Sequence, residues 1–423
     1  MTSASTELAG IRDAALRTAD RIGARLVRDA VRDGARATWL GDQMEPVNGQ
    51  WSVVLKACGP DVYSGSSGIA MFLSRLSKLT GERLFLTTAE AALEHASSGI
   101  DNTPAEIKGS LWSGIAGLAW VYLDAGKALD RESWIERGLD LVAIVESLDP
   151  VPTSADVTTG SAGLIPFLLH VHRLYGRQSS LTSAVRHGEA LLASARRSDA
   201  GYSWQTMPEI AGYENRDLTG LSHGTAGIGL ALFELARVTN DSRFDNAAAQ
   251  AFAYEQRWFS PQHNNWPDFR EMQPGTPESQ WGYAAAWCHG APGIALARLR
   301  AWQLTSRDEY REHAEIALRT TAASLDSAPM GMGSWCQCHG TAGNADVLLV
   351  GAQVLGDVAW QTAAIRAASR GIATFEDAEL PWPPGVNGGS ENPSLMLGNA
   401  GVGWFFLRLA DPAATPSVLL FAS

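Results

Sequence analysis

Two kinds of helical stretch alternate along the chain. One is apolar on nearly every side, as in "GIAMFLSRL", "GIAGLAWVYL" and "GIGLALFELA". The other is amphipathic, as in "SRFDNAAAQAFAYEQRWF" and "RDEYREHAEIALRTTAASL", where apolar residues recur at helical spacing. A helix that is apolar all round must be covered on most sides, so the first kind belongs to an inner layer. The second kind has one apolar face and covers the first from outside. A single pair cannot bury its own faces, so neighbouring pairs must stack.

Each apolar run opens on the same element, Gly-x-x-Gly. It occurs seven times, with first glycines at Gly65, Gly114, Gly160, Gly224, Gly290, Gly340 and Gly398, spaced 49, 46, 64, 66, 50 and 58 residues apart. A period of about 50 residues marks a repeat architecture. The expected fold is all-α: an α/α-toroid of seven helix hairpins, inner helices ringed by outer ones. Length alone would suggest two or three domains, but the repeat argues for a single domain over 1–423. Residues 1–50 are read as a helical lead-in, with Leu8, Ile11, Ala15, Ile22 and Leu26 along one side, and 51–423 as the seven repeats. β-type alternation is scarce, although "MEPVNGQWSVVL" has the pattern of a short strand. The glycines suit turns in which backbone approaches backbone or a ligand closely.

Composition narrows the function. A net charge of -12 argues against a nucleic-acid binder. No segment approaches the roughly 18 apolar residues of a membrane span, and the N-terminus lacks the layout of a secretory signal. Four cysteines in 423 residues cannot make a disulfide framework, so a cytoplasmic, reducing location is expected. Walker-type loops, dinucleotide fingerprints and Gly-x-Ser-x-Gly elbows are absent.

In a toroid the seven turns would converge on one mouth. The residue before each first glycine is Ser64, Ser113, Thr159, His223, His289, His339 and Leu397, and cysteine precedes two of the histidines, as Cys288 and Cys338. Thiolate and imidazole are the ligands zinc prefers, and Cys288, Cys338 and His339 would leave one open position, the catalytic arrangement. His223, with no cysteine before it, is a candidate fourth ligand, general acid/base or structural residue. Asp156, four residues before Gly160, reads from position alone as a helix cap or loop aspartate. Cys336 precedes the register and is read as a packing residue or spare thiol, and Cys58 as a small buried residue. The irregular stretches 259–272 and 379–396 either contact substrate or merely bridge helices.

Seven such turns with "SHGTAGIG", "WCHGAPGI" and "CHGTAGN" resemble the lanthipeptide cyclase (LanC-like) family over nearly the whole chain. The closing "NPSLMLGNAGVGWFFLRLADPAATPSVLL", with His289 in the first cysteine motif, is most similar to the cyclase domain of class II lanthipeptide synthetases. The resemblance implies a toroid with a central Zn2+ on Cys288, Cys338 and His339. It also implies acid/base work by His223 with Asp156, and addition of peptide cysteine thiols to dehydroalanine or dehydrobutyrine to form thioether rings. The implied partners are a dehydrated precursor peptide and a dehydratase enzyme or domain. Many stand-alone members have arginine four residues before the first zinc cysteine and tyrosine after it, where this chain has Ala284 and His289. Either His289 takes a catalytic proton-transfer role, or that assistance is not needed. Other readings within reach are addition of glutathione or another thiol to dehydrated proteins, and a non-catalytic peptide-binding scaffold.

Overall fold

Helix α1 (Ser3–Asp29) opens the chain in the computed structural model, which describes residues 3–47, 50–209, 212–270, 272–327 and 333–421. Two β-hairpins follow, β1 (Val31–Asp33) with β2 (Arg36–Thr38), and β3 (Leu40–Val47) with β4 (Gln50–Ala57). Helices then alternate: α2 (Ser66–Thr80), α3 (Arg83–Gly99), α4 (Ile115–Ala128), α5 (Glu132–Ser147), α6 (Ser161–Tyr175), α7 (Gln178–Ser194), a small hairpin β5 (Arg196–Ser198) with β6 (Gly201–Ser203), α8 (Thr225–Thr239), α9 (Ser242–Arg257), α10 (Ala291–Thr305), α11 (Asp308–Ser327), α12 (Thr341–Leu355), α13 (Val358–Gly371) and α14 (Asn399–Ala410).

The seven helices that follow the glycine turns, α2, α4, α6, α8, α10, α12 and α14, pack side by side as an inner ring. Their successors α3, α5, α7, α9, α11 and α13 each pack on the preceding inner helix. The two classes bury as their sequences require. In α8 every residue from Thr225 to Leu235 is buried, whereas α9 buries one face, through Phe244, Ala247, Ala248, Ala251 and Phe252. The fold is an α/α-toroid.

The start of the chain differs from expectation. Among the described residues no helix follows α14, and α1 packs along it instead, so the seventh outer helix is α1 and the ring closes where α1 meets α14. Ala15, Ile22 and Leu26 are buried there and Ile11 packs against the core; the side chain of Leu8 lies outside the described residues. Arg25 ties α1 to the helical turn that follows α13 through the buried carboxylate of Glu376, at 3.0 Å. The lead-in also stops being helical at Asp29, because Gly34 and the alternating run from Leu40 to Ala57 favour hairpins.

The turns hold the inner ring together at one end. At the second glycine of each element a side chain would strike the carbonyl six residues upstream; a Cβ on Gly343 would lie 1.9 Å from the Gln337 oxygen. Glycine thus lets each inner helix start against its own turn, and the turns bond to one another. Cys288 N–H donates to Cys338 O (3.3 Å), Cys338 to Met396 O (3.0 Å), Met396 to Tyr63 O (2.9 Å) and Tyr63 to Trp112 O (3.1 Å). Val157 donates to Ser222 O (3.0 Å) and Ser222 to Cys288 O (3.3 Å). Between α4 and α6 the C-terminal segment fills the interior. Phe421 sits 5.0 Å from the Trp120 ring and 6.0 Å from Phe167, and Leu419 O accepts from Trp287 Nε1 at 2.9 Å. No helix among the described residues is long and apolar enough to cross a membrane.

If α1 is part of the ring, Ile22→Ala lowers the unfolding free energy by about 2–5 kcal/mol, as for other buried aliphatic truncations. Denaturant titration measures this; a loss below about 0.5 kcal/mol, the level of surface changes, would show α1 to be dispensable.

Candidate functional site

Because successive turns are hydrogen bonded around one axis, their side chains at equivalent positions face one another. The ligand atoms of Cys288, Cys338 and His339 all lie within 4.8 Å of one another, so the three residues could hold a metal ion. Both cysteines are buried and His339 is exposed at the rim. His339 Nε2–H donates to Gly385 O at 2.9 Å, which leaves Nδ1 as the nitrogen with a free lone pair. Two thiols and one oriented imidazole are a borderline-soft donor set of the kind zinc takes. The electrostatics point the same way. Hydrogen bonding from Cys338, with help from His339, holds the Cys288 thiol well below its ordinary value. The same bond to Cys288, together with burial, pushes Cys338 well above its own. Burial works against charge on His339, yet hydrogen bonds with Cys288 and Cys336 raise its imidazolium far above 6.5. The cluster thus shares protons that a bound cation would displace.

Tyr63 also belongs to this group. Burial first, then the neighbouring Cys338, push its hydroxyl well above 10.0, so it stays protonated and hydrogen bonds to Cys338. Tyr63 lies two residues before Gly65, the register that Cys288 and Cys338 occupy in their own repeats. Cys336 stays outside the three-residue cluster. It is fully buried, and its Sγ accepts from the backbone N–H of His339 at 3.4 Å. Cys58 is buried just before the first glycine turn, outside the cysteine–histidine register, and burial pushes its thiol up to about 12.

The neighbouring turns bring a second group to the same mouth. His223 Nδ1–H donates to Asp156 Oδ2 at 2.5 Å. Asp156 is itself fixed: Thr159 donates to Oδ1 from its N–H (2.7 Å) and Oγ1 (2.9 Å), and Thr158 Oγ1 donates to Oδ2 (3.2 Å). This orients His223 with Nε2 as its working nitrogen. The turn that carries His223 is held from the outer layer, where the fully buried Glu255 accepts from Gly220 N–H at 2.8 Å. His289 lies beside His223, ring centroids 5.8 Å apart and planes 30° off parallel. Burial drives its imidazole down to about 4, so it is neutral at pH 7. Its Nδ1 stands 3.9 Å from Asp268 Oδ1, and Asp268 is paired with Arg270 at 2.6 Å. Both irregular stretches therefore reach the site, 259–272 through Asp268 and 379–396 through Gly385. The arrangement sets three residues that could hold a soft cation beside an oriented imidazole.

Comparison with known proteins gives the family and the fold. The family model described as lanthionine synthetase C-like protein matches residues 57–420. The nisin biosynthesis protein NisC of Lactococcus lactis subsp. lactis is 24% identical over 309 residues, 67% of this chain and 72% of that protein. The lacticin 481/lactococcin biosynthesis protein LcnDR2 of the same organism is 23% identical over 208 residues, 48% of this chain but only 19% of that much longer protein. Among solved structures, a nisin cyclase superposes with a TM-score of 0.64 at 18% identity, covering 84% of this chain and 89% of its own. A GH76 α-mannanase of Bacteroides thetaiotaomicron shares the helical ring at 12% identity and a TM-score of 0.52, covering 94% of this chain and 95% of its own.

Gly385 yields a test of the cluster. A Cβ there would meet Cys336 Sγ at 2.8 Å and His339 Nε2 at 3.0 Å, so in Gly385→Ala the Cys336 thiol must move and the imidazole must give by a few tenths of an ångström against its carbonyl partner. Disturbing the outer partner of a ligating histidine weakens metal binding about 10- to 100-fold. Competition with a chromophoric chelator for one divalent cation reads this, and an unchanged affinity would remove Gly385 and His339 from the site.

Proposed function

The chain belongs to the lanthionine synthetase C-like family, and from that premise we propose that it is a zinc-dependent lanthipeptide cyclase. The observation that carries this reading is the convergence of Cys288, Cys338 and His339 within 4.8 Å, beside the His223–Asp156 pair. A zinc ion held by those three residues would supply Lewis acidity, keeping a substrate cysteine ionised as thiolate near pH 7. Gly385, accepting from His339, would hold that ligand in place, and Tyr63 lies beside the Cys338 thiol.

The reaction balances simply. The substrate thiolate forms a carbon–sulfur bond at the β-carbon of a dehydroalanine or dehydrobutyrine, and the C=C electron pair moves toward the adjoining carbonyl as an enolate. Collapse of the enolate takes one proton at the α-carbon. His223 is the donor in this reading, through Nε2, because Asp156 occupies Nδ1 and orients the ring. Asp156 serves as the orienting carboxylate. His289, buried and neutral, is read as the packing and positioning partner of His223.

The substrate is then a precursor peptide already dehydrated by a separate enzyme or domain. The four cysteines of the chain are all free, which suits a reducing cytoplasm.

His223→Asn is expected to slow ring closure by about 10²- to 10⁴-fold, the usual contribution of a positioned general acid, while zinc content stays at the wild-type level. Cys336→Ala is expected to keep both. Because cyclisation leaves the peptide mass unchanged, closure is followed by alkylating the thiols that remain. Wild-type rates in the His223 variant would remove it as the acid, and loss of its zinc would make it a ligand.

A further inference from the structure

The β3–β4 hairpin has the sequence pattern of a half-buried sheet but no core beneath it. Its register places Leu40, Asp42, Met44 and Pro46 opposite Ala57, Leu55, Val53 and Trp51, so these side chains share one face. That face is largely apolar, yet Trp51 is 71%, Leu55 66% and Leu40 52% exposed. The other face is mixed, with Gln43, Glu45, Ser52 and Lys56 beside Val47 and Val54, and Glu45 and Lys56 form an ion pair. Alternation of this kind normally buries its apolar side. Here the 388–390 segment covers only the Asp42 end of the face, and Trp51 and Leu55 stay open.

The edges of the hairpin differ. On β3, Asp42 O accepts from Asn392 Nδ2 at 2.8 Å and Pro46 has no N–H, which places the backbone of these alternate residues on the side away from β4. Their partners Trp51, Val53 and Leu55 must then turn their N–H and C=O groups to the outer edge of β4. Every residue of β4 is exposed or only partly buried, so this edge is open among the described residues. The hairpin is also joined to the mouth. Asp42 accepts from Ser390 N–H at 2.7 Å, and the same irregular segment supplies the Gly385 oxygen that holds His339.

We propose that an extended segment of the dehydrated substrate peptide adds as a strand to the open edge of β4. Its apolar side chains lie on the Trp51–Val53–Leu55 face, and its cysteines are led toward the Cys288–Cys338–His339 cluster. This rests on the cyclase reading above. A peptide fits better than a folded partner, because one hairpin face offers few residues against the roughly 20–30 per side of a stable protein interface. An unfolded chain can use both the free backbone groups and the apolar face.

The test uses a dehydrated precursor peptide that the wild-type chain cyclises, with the double variant Trp51→Ser/Leu55→Ser. Both side chains are exposed, so the denaturation midpoint should be unchanged. Expected are a rise in KM of about tenfold or more, typical of losing anchoring side chains, with kcat within about twofold. On the wild-type chain, the peptide should slow amide hydrogen exchange at Trp51, Val53 and Leu55. Unchanged KM and unprotected β4 amides, with wild-type ring closure intact, would overturn the hairpin proposal alone, including the case where a folded partner or a second copy covers this face. Failure of the wild-type chain to close any ring would overturn the cyclase reading and this inference together.

Discussion

The backbone hydrogen bonds that link one glycine turn to the next are the constraint on which the site depends. They bring residues about fifty or more positions apart in sequence to neighbouring places around one axis. Cys288 N–H reaching Cys338 O is one such link, and it is also the reason two thiols from different repeats share a pocket. The links require each inner helix to begin hard against its own turn, and glycine at the second position permits that. A side chain at Gly343 would occupy the space of the Gln337 carbonyl.

From this follows a division of labour between layers. The inner helices supply positions, since their side chains are almost wholly buried and their first turns all face one mouth. The outer helices supply support, as when Glu255 on α9 fixes the Gly220 turn that presents His223. The irregular segments between hairpins supply partners for the reactive groups, Gly385 for His339 and Asp268 for His289. The three residues that could hold a cation and the His223–Asp156 pair sit side by side without sharing a residue.

Much of this was legible in the sequence. The alternation of apolar and amphipathic runs defines the two layers, and the spacing of the glycines defines the register. That register separates Cys338 and His339 from Cys336 and joins them to Cys288, because hairpins of like length return the chain to the same height at every repeat. Tyr63 sits at the same register in the first repeat and was open to the same argument, but a tyrosine among cysteines gives no metal-ligand signal. Gly385 was not legible, because its contribution is a backbone carbonyl reached through an irregular segment. The Asp268–His289 approach is hidden for the same reason. The role of α1 escaped because ring closure pairs the two ends of the chain, and no local period records that. The hairpin after it was visible only as the alternation in "MEPVNGQWSVVL", which says that a strand pair forms but not that its apolar face stays open.

The central claim is that the substrate thiol completes a site built by Cys288, Cys338 and His339. X-ray absorption at the zinc edge tests it most directly, on the zinc-loaded chain before and after addition of a dehydrated peptide that retains its cysteine. The account predicts a shell of two sulfurs and one imidazole nitrogen plus a light atom that gains a third sulfur at about 2.3 Å when the peptide binds. A shell whose sulfur count does not change, under conditions where the peptide is bound, would contradict it.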